Sequence, residues 1–576
     1  MATVAFPEPP PSMPATPLAA LDEAVERLRS KKDAFATMSI DKRIDYLTRI
    51  HATLPALAAE WAELGARAKG LWPGSNAAGE EMLAGPLVTL RNVRLLEEAL
   101  HQVQTQGYPT ISSKAVSRRP DGRTVVQVFP HGIWDQMVYL GYRAEVWMDD
   151  GVTPENLHEH QAGTYRHPET VGKVALILGA GNQSSIAPMD ALYKLFVEKQ
   201  VVILKMNPVN EYLGPIMRKL FQCLVDDGFL EVVYGGAEVG SHLCQHPHVD
   251  TIHITGSDQT HDAIVWGPPA GRDGRKKRGE KVLTKEITSE LGNVTPVIVL
   301  PGNWTAKEIA FHAENIAAMV TNNASFNCIA GKLVVTAKSW PQRQVFLDAI
   351  RQALAKAAPR KAYYPGARDR WQQFVNAYPH AEKIGEDLPE TVPWTFIPNH
   401  DAGDADSLAF KKEPFCGLLH EVALEGHDTP TFLEKAVEFC NQRVWGTLAV
   451  SLLVHPDTHR DAASEAAYQK ALTDLRYGSI CVNHWPGLMY GIVTTTWGAH
   501  PGHPLEDIQS GRGVVHNTYL FDKPLKSVLY GSFSPMLRPP WFHTHQGVGA
   551  MGPKLIAFEN QPSLLRLLPI LPHAIR

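Results

Sequence analysis

The stretch VGKVALILG, Val171 to Gly179, followed after a short interval by VVILK, Val201 to Lys205, decides the fold. Each is an apolar run of strand length, the pattern of a strand buried on both faces. Between them Ala191, Leu192, Leu195 and Phe196 recur at helical spacing. Beyond Lys205 a second helix shows its apolar stripe at Leu213, Ile216, Met217, Leu220, Phe221, Leu224 and Val225, and stops at Gly228. EVVYG (231–235) and TIHIT (251–255) read as further strands. Strands alternating with helices imply parallel pairing and a doubly wound α/β sheet. Such sheets bind ligands at the carboxyl ends of their strands.

Outward from this block the texture persists. KEITSELGNVTPVIVL (285–300) is strand-like and leads into a helix, AKEIAFHAENIAAMVTNNAS (306–325); strands and helices alternate up to about residue 500. On the amino side a long amphipathic helix begins at Leu21, with Tyr46, Leu47, Ile50, Leu54 and Leu57 on one face. Residues 105–170, with scattered glycine, proline, tryptophan and histidine, read as irregular. Trp266 to Lys281 has no apolar periodicity and carries six basic against two acidic residues, which suits a solvated surface loop. The proline-rich residues 1–20 read as a disordered lead-in, not a secretory signal. The expected division is a lead-in over 1–20, a doubly wound domain over 21–290 that includes the irregular insertion 105–170, a second domain over 291–500, and a C-terminal segment and tail over 501–576.

Composition excludes several classes. The chain has 576 residues, 44% hydrophobic, and a formal net charge of -5, with no basic field for nucleic acid or an anionic surface. No run of about 18 uncharged apolar residues is present, so a spanning helix is not expected. The apolar tail SLLRLLPILPHAI is short and broken by proline, and is expected to dock on the protein's own surface. Six cysteines without a C-x-x-C pair fit reduced thiols in a cytoplasmic enzyme. Cys244, His246, His248 and His253 lie close in sequence, but zinc ligands normally come as two separated pairs, so no metal is expected.

GAGNQS (179–184) looks like most of a G-x-G-x-x-G phosphate loop between a strand and a helix. Its third glycine position is Ser184, and the next strand ends in Lys205 where that fingerprint expects an acid. Of the six cysteines, Cys328 alone lies in a polar segment, beside Asn322, Asn323, Ser325 and Asn327. A lone cysteine is most often a small buried hydrophobe. Glu290 could cap or ion-pair on a surface, Asn182 could shape a turn, and Lys205 could snorkel to solvent.

Together these pieces resemble the aldehyde dehydrogenase superfamily over roughly residues 25–515. SELGNVTPVIV (289–299) is similar to the family's E-L-G-G-K-S-P, with the base at Glu290. NNASFNCIAGKLVV (322–335) is like its nucleophile segment, with Cys328 and Ala330. Asn182 and Lys205 have the spacing of its oxyanion asparagine and cofactor lysine. EPFCG (413–417) looks like E-I-F-G-P and puts Glu413 and Phe415 near a nicotinamide ribose. TIHIT running into Gly256 and Ser257 resembles F-T-G-S, whose turn faces the pyrophosphate. The resemblance departs at Pro208, where members often carry an acid that repels a 2′-phosphate, and at His261, which stands where a glycine is common.

The resemblance implies a Rossmann-type doubly wound cofactor domain with an α/β catalytic domain, and oxidation of an aldehyde to a carboxylate with NAD or NADP. Cys328, Glu290 and Asn182 would be catalytic; Lys205, Gly256, Ser257, Glu413 and Phe415 would bind cofactor. A homodimer or homotetramer is expected. Trp134, Trp147, Trp485 and Trp497 fit an apolar or aromatic substrate tunnel, and fit plain core at least as well. Two alternatives remain: a coenzyme A-dependent acyl-thioester reductase of the same superfamily, against which Glu290 counts, and a silent scaffold, against which the joint presence of cysteine, glutamate and asparagine counts.

Overall fold

The computed structural model describes residues 5–167 and 170–575. Within it the chain builds two sheets. The first has six strands, in the order Gly511–Arg512, Glu286–Leu291, Thr251–Gly256, Val174–Leu178, Val201–Lys205, Leu230–Val233. Its last five are parallel and Gly511–Arg512 is antiparallel at the edge. Strand order reverses beside Val174–Leu178, the first strand of the series, and a crevice opens there at the carboxyl ends. The runs VALIL and VVILK are almost wholly buried, as continuous apolar strands must be when helices cover both faces.

One covering layer is the helix Ile40–Ala68, started by the Ser39 hydroxyl accepting from the Lys42 amide. Its face Tyr46, Leu47, Ile50, Leu54 and Leu57 is buried, as the periodicity predicts. The helix Leu18–Ala36 packs across the same sheet. Residues 5–17 have no regular structure, yet they are not a loose lead-in. The Met13 amide donates to the Glu211 carboxylate at 3.0 Å, and the Thr16 amide to the Tyr234 carbonyl at 3.1 Å. Residues 1–4 of the predicted lead-in lie outside the described residues.

The second sheet has eleven strands. Its parallel centre runs Pro524–Tyr530, Ser479–Val482, Ala449–Leu453, Thr295–Val299, Gly331–Ala337, Leu418–Leu424, Trp394–His400. Two expectations are corrected around it. The segment read as irregular supplies three antiparallel strands, Val116–Arg118, Thr124–Phe129 and Arg143–Met148, so this part of 105–170 extends the second sheet and not the first. The basic stretch forms a helix, Arg272–Arg278, in which Arg275 donates to the carbonyls of Trp266 and Pro268 and Lys276 pairs with Asp262.

Among the described residues no helix is long and apolar enough to cross a membrane. The tail docks in part on the body, with Leu567 and Ile570 buried beside Met551 and Phe558, while Leu565, Leu568 and Ile575 face solvent. Its helix Val548–Asn560 is held by buried charge. Glu559 accepts from Arg94 at 2.9 Å and from Arg91 at 3.4 Å, and Arg91 also forks onto both oxygens of Asp135. Removing one member of such a cluster leaves a desolvated guanidinium, a loss on the order of 3 kcal/mol. Glu559→Ala should therefore loosen the tail and speed tryptic cleavage at Lys554 and Arg566; a cleavage rate and melting temperature equal to the parent's would show that the pair does not hold it.

Candidate active site

The helix Ala306–Thr321 starts on a Thr305–Glu308 capping box and aims its carboxyl end at the crevice. There the chain turns sharply. Asn323, Ala324 and Ser325 all take left-handed backbone, with φ of 51°, 53° and 71°. For residues other than glycine this costs on the order of 1 kcal/mol each, so it persists only where the surroundings impose it. Side chains supply that constraint. Asn323 Nδ2 donates to the carbonyls of Asn182 and Phe326, both at 3.0 Å, and Asn327 Nδ2 to Asn322 Oδ1 at 3.1 Å. Lys332 Nζ donates to Ser325 Oγ at 2.7 Å and to the carbonyls of Ser325 and Cys416. The turn delivers Cys328 just ahead of the strand Gly331–Ala337, and among the six cysteines it alone is not fully buried.

Asn182 comes from the loop after Val174–Leu178. Its Nδ2 donates to the Phe326 carbonyl at 2.9 Å, and its neighbour Gln183 donates to Asn327 Oδ1 at 2.7 Å, so the two polar loops are laced together. A side-chain amide has two N–H bonds, which leaves Asn182 one further donor. Tyr363 closes the same knot, its one hydroxyl proton shared between the Asn182 carbonyl and Asn323 Oδ1. Glu290 ends the strand Glu286–Leu291 and is buried beside the Cys328 thiol and the Trp497 indole, with Oε1 unpartnered.

The electrostatics follow from dryness and like charge. Burial and the nearby Asp190 carboxylate push the Glu290 carboxyl up to about 7, against a smaller opposing pull from Cys328 and Trp497. Burial pushes the Cys328 thiol well above its usual range, and Glu290 and Glu413 add to it. Burial likewise lifts Glu413 to about 8 in spite of the Lys332 ammonium, and lowers Lys332 to about 8. Lys205 is buried at the end of its strand, which lowers its ammonium below the ordinary value while Glu211 partly restores it.

A single cavity of about 1280 Å³ brings all eight predicted residues together: Asn182, Lys205, Gly256, Ser257, Glu290, Cys328, Glu413 and Phe415. That exceeds the roughly 300–1,000 Å³ of an ordinary small-molecule pocket and suits a longer ligand. Gly256 and Ser257 are exposed at the rim, where the Ser257 hydroxyl caps the helix Asp258–Trp266. Phe415, itself left-handed, packs its ring 5.0 Å from Tyr364 and 5.7 Å from Phe326. Two features fit a nicotinamide dinucleotide. Glu413 Oε1 is buried and unpartnered, ready to accept from a ribose hydroxyl. Gly292 leaves a cradle beside it, since a Cβ there would stand 2.0 Å from Glu413 Oε2. His261 does not intrude, because it is fully buried and no part of the cavity wall.

Sequence reasoning missed several side chains here. Lys332, Tyr363 and Gln183 fix the turn before Cys328, and Asp190 stands behind Glu290; Trp497, expected in a tunnel or in plain core, lies beside Glu290. A signal existed for Asp190, a charge inside the otherwise apolar helix Ile186–Leu192. The residues weighed as zinc ligands do not converge: His253 turns inward to Thr288 and Asp190, while His246 lies near Asp22. Among the described residues no group of three or more histidine, cysteine or acidic side chains is placed to hold a metal.

Comparison with known proteins agrees with this geometry. Residues 132–363 match the model of the aldehyde dehydrogenase family. A 4-trimethylaminobutyraldehyde dehydrogenase A of Danio rerio is 31% identical over 99 residues, 17% of each chain, so the chain aligns with under a fifth of that relative's length. Among solved structures, the aldehyde dehydrogenase KauB from Pseudomonas aeruginosa superposes with a TM-score of 0.59 at 19% identity, over 90% of both chains. An NADP-dependent glyceraldehyde-3-phosphate dehydrogenase from Bacillus halodurans, complexed with NADP, gives 0.58 at 16% identity over 90% of this chain and 92% of that one. At such identities the superpositions speak to the fold, which is the aldehyde dehydrogenase fold. The family match covers residues 132–363, the segment that carries Asn182, Glu290 and Cys328.

Proposed function

We propose that the protein oxidises an aldehyde to a carboxylate with NAD or NADP, using Cys328 as nucleophile. The observation that carries this reading is the meeting of Cys328, Glu290 and Asn182 in one cavity that Lys205, Ser257 and Glu413 also line. Glu290 is the group beside the thiol able to take its proton. The thiolate sulfur then bonds to the aldehyde carbon, and the free N–H of Asn182 with the Cys328 backbone amide steadies the oxyanion. Loss of one such donor typically costs about 3 kcal/mol. A bound nicotinamide supplies the acceptor for the hydride that leaves this carbon. Hydrolysis of the resulting thioester needs a base for water, and Glu290, poised near neutrality, fits that task. Glu413 and Phe415 would orient the nicotinamide ribose, while Gly256 and Ser257 would face the pyrophosphate.

Neither Asn207 nor Pro208, which follow Lys205, carries a negative charge, and Lys205 and Lys285 both line the cavity. A 2′-phosphate is therefore not repelled, and both nucleotides are expected to serve. Lys205→Ala should raise KM for NADP more than KM for NAD; an equal rise for both would remove the lysine from phosphate recognition.

Cys328→Ala should abolish aldehyde-dependent formation of NADH or NADPH, and activity at the parent rate would end the reading. Glu290→Gln should lower kcat roughly 100-fold or more. Because Glu290 takes the thiol proton, the same variant should also alkylate at Cys328 with iodoacetamide more slowly than the parent, and an unchanged rate would remove that role. With Glu290 near 7, kcat should rise with pH through about 7 and level off above it, since the ionised form is the one that accepts a proton. A flat profile between pH 6 and 8 would contradict this. Coenzyme A accelerating turnover many-fold would point instead to acyl transfer.

A further inference from the structure

Behind Glu290 lies a buried polar chain that the reaction as written leaves unused. Asp190, on the helix Ile186–Leu192, reaches Glu290 by way of Thr255, which stands opposite Glu290 on the paired strand and donates to the Asp190 carboxylate. It is only 2% exposed, and among the described residues no lysine or arginine pairs with it. Its Oδ2 instead accepts from Thr255 Oγ1 at 2.9 Å and lies 3.5 Å from His253 Nε2. Thr255 Oγ1 is also 3.3 Å from that nitrogen. On the far side of the imidazole, His253 Nδ1 meets Thr288 Oγ1 at 2.9 Å, and Thr288 is half-buried where every other member is buried.

Strand register explains the alignment. Thr251–Gly256 and Glu286–Leu291 pair in parallel, with His253 opposite Thr288 and Thr255 opposite Glu290. Residues two apart on a strand share a face, so the four side chains form two adjacent rungs, and Asp190 covers them from the helix above. Burying a carboxylate and an imidazole in an apolar sheet face is costly unless each is hydrogen-bonded, and here each is. A purely structural filler would be served better by apolar side chains.

We propose that Asp190, Thr255, His253 and Thr288 form the proton exit of Glu290, carrying the proton it takes from the Cys328 thiol to the edge of the sheet. The inference rests on the reading of Glu290 as the base in thioester hydrolysis. When water adds to the thioester carbon, its O–H bond breaks toward Glu290 as the C–O bond forms, and the C–S bond then breaks to release the Cys328 thiolate. Glu290 accepts two protons per turnover, the first from the Cys328 thiol and the second from water; the second returns to the released thiolate, and the first must leave before water can be activated. The Glu290 O–H then breaks toward the Thr255 hydroxyl, opposite it in the strand register, as the Thr255 O–H breaks toward Asp190. Asp190 passes a proton to His253 Nε2, directly or through the Thr255 hydroxyl, and His253 releases one from Nδ1 to Thr288 and so to solvent. No electrons move, and the chain returns to its starting protonation. The titratable groups facing this path are these: Glu290 sees Asp190, Cys328 and the Tyr490 hydroxyl, Asp190 sees Glu290, His253 and the same hydroxyl, and His253 sees Asp190. These side chains are therefore positioning and relay residues, none of them touching substrate.

The test uses Asp190→Asn, His253→Gln and Thr255→Val in the full-length enzyme, each checked for a parental melting curve, with Glu290→Gln alongside. Stopped-flow traces separate the first-turnover burst of reduced nucleotide from the steady state. The expected result is a steady-state rate reduced about tenfold, by more than the burst rate. That rate should climb with imidazole buffer concentration at fixed pH, because an external base replaces the blocked exit, whereas the parent should show no buffer dependence. In Asp190→Asn the acid limb of the kcat profile should also move to lower pH, since Glu290 loses its anionic neighbour. A packing role predicts none of these changes beyond altered stability. Folded variants with parental steady-state rates, no buffer dependence and an unmoved acid limb overturn the exit while leaving Glu290 as the base. Full turnover by Glu290→Gln overturns both. If Asp190→Asn fails to fold, Thr255→Val and His253→Gln carry the same buffer criterion.

Discussion

The knot of amides around the Phe326 carbonyl is the constraint on which the site depends. That one oxygen accepts from Asn182 at 2.9 Å and from Asn323 at 3.0 Å, one in the loop after a strand of the first sheet and the other in the turn before a strand of the second. Three successive left-handed residues would relax if either loop were free. Lys332 works against that release by capping the Ser325 carbonyl and hydroxyl from within the following strand. Cys328 thus reaches the cavity at a fixed height, three residues beyond a turn that local preference alone would not choose.

The charges in the cavity add a second constraint, of a different kind. Glu290 and Glu413 each act on the Cys328 thiol, and no cation among the described residues is hydrogen-bonded to Glu290. Burial there does not give a preformed thiolate; it gives a protonated thiol beside carboxyls raised to about 7 and about 8. Nucleophile and proposed base therefore share protons, and their titrations belong to the group more than to single residues. A base near 7 gains at working pH what a fully solvated glutamate near 4.3 would lack, since proton-transfer catalysis is best served by a pKa close to ambient pH.

Much of this was legible in the sequence because it was written in apolar runs. VALIL, VVILK and TPVIV could only be buried strands, and the stripe from Tyr46 to Leu57 could only be a helix laid on them. The eight site residues meet in one cavity because each sits at a strand end or in a turn, where the doubly wound topology collects side chains. The misreadings have physical causes. The strands Val116–Arg118 and Arg143–Met148 are short, carry charged residues on an exposed side and are split by proline and glycine, so their alternation is weak. The helix Arg272–Arg278 has no buried residue, hence no apolar periodicity to read. Asp190 and His253 sit inside apolar segments, where a single polar residue looks like a tolerated exception until its partners on other elements are known.

The seam between the two sheets fixes where the proposed base can stand. Strand Glu286–Leu291 belongs to the first sheet and Thr295–Val299 to the second, so the chain crosses within residues 292–294. That crossing is pinned from both sides. The Ser510 hydroxyl donates to the Gly292 carbonyl at 2.8 Å, and Asn293 Nδ2 donates to the Ala449 carbonyl at 2.7 Å. The returning strand residue Gly511, at φ 118°, passes so near that a Cβ would lie 2.0 Å from the Ser289 carbonyl. A seam this short and this crowded has little room to pivot. Glu290, two residues ahead of the pinned Gly292, is thereby held beside Cys328, and a relative motion of the two sheets would change the spacing between them.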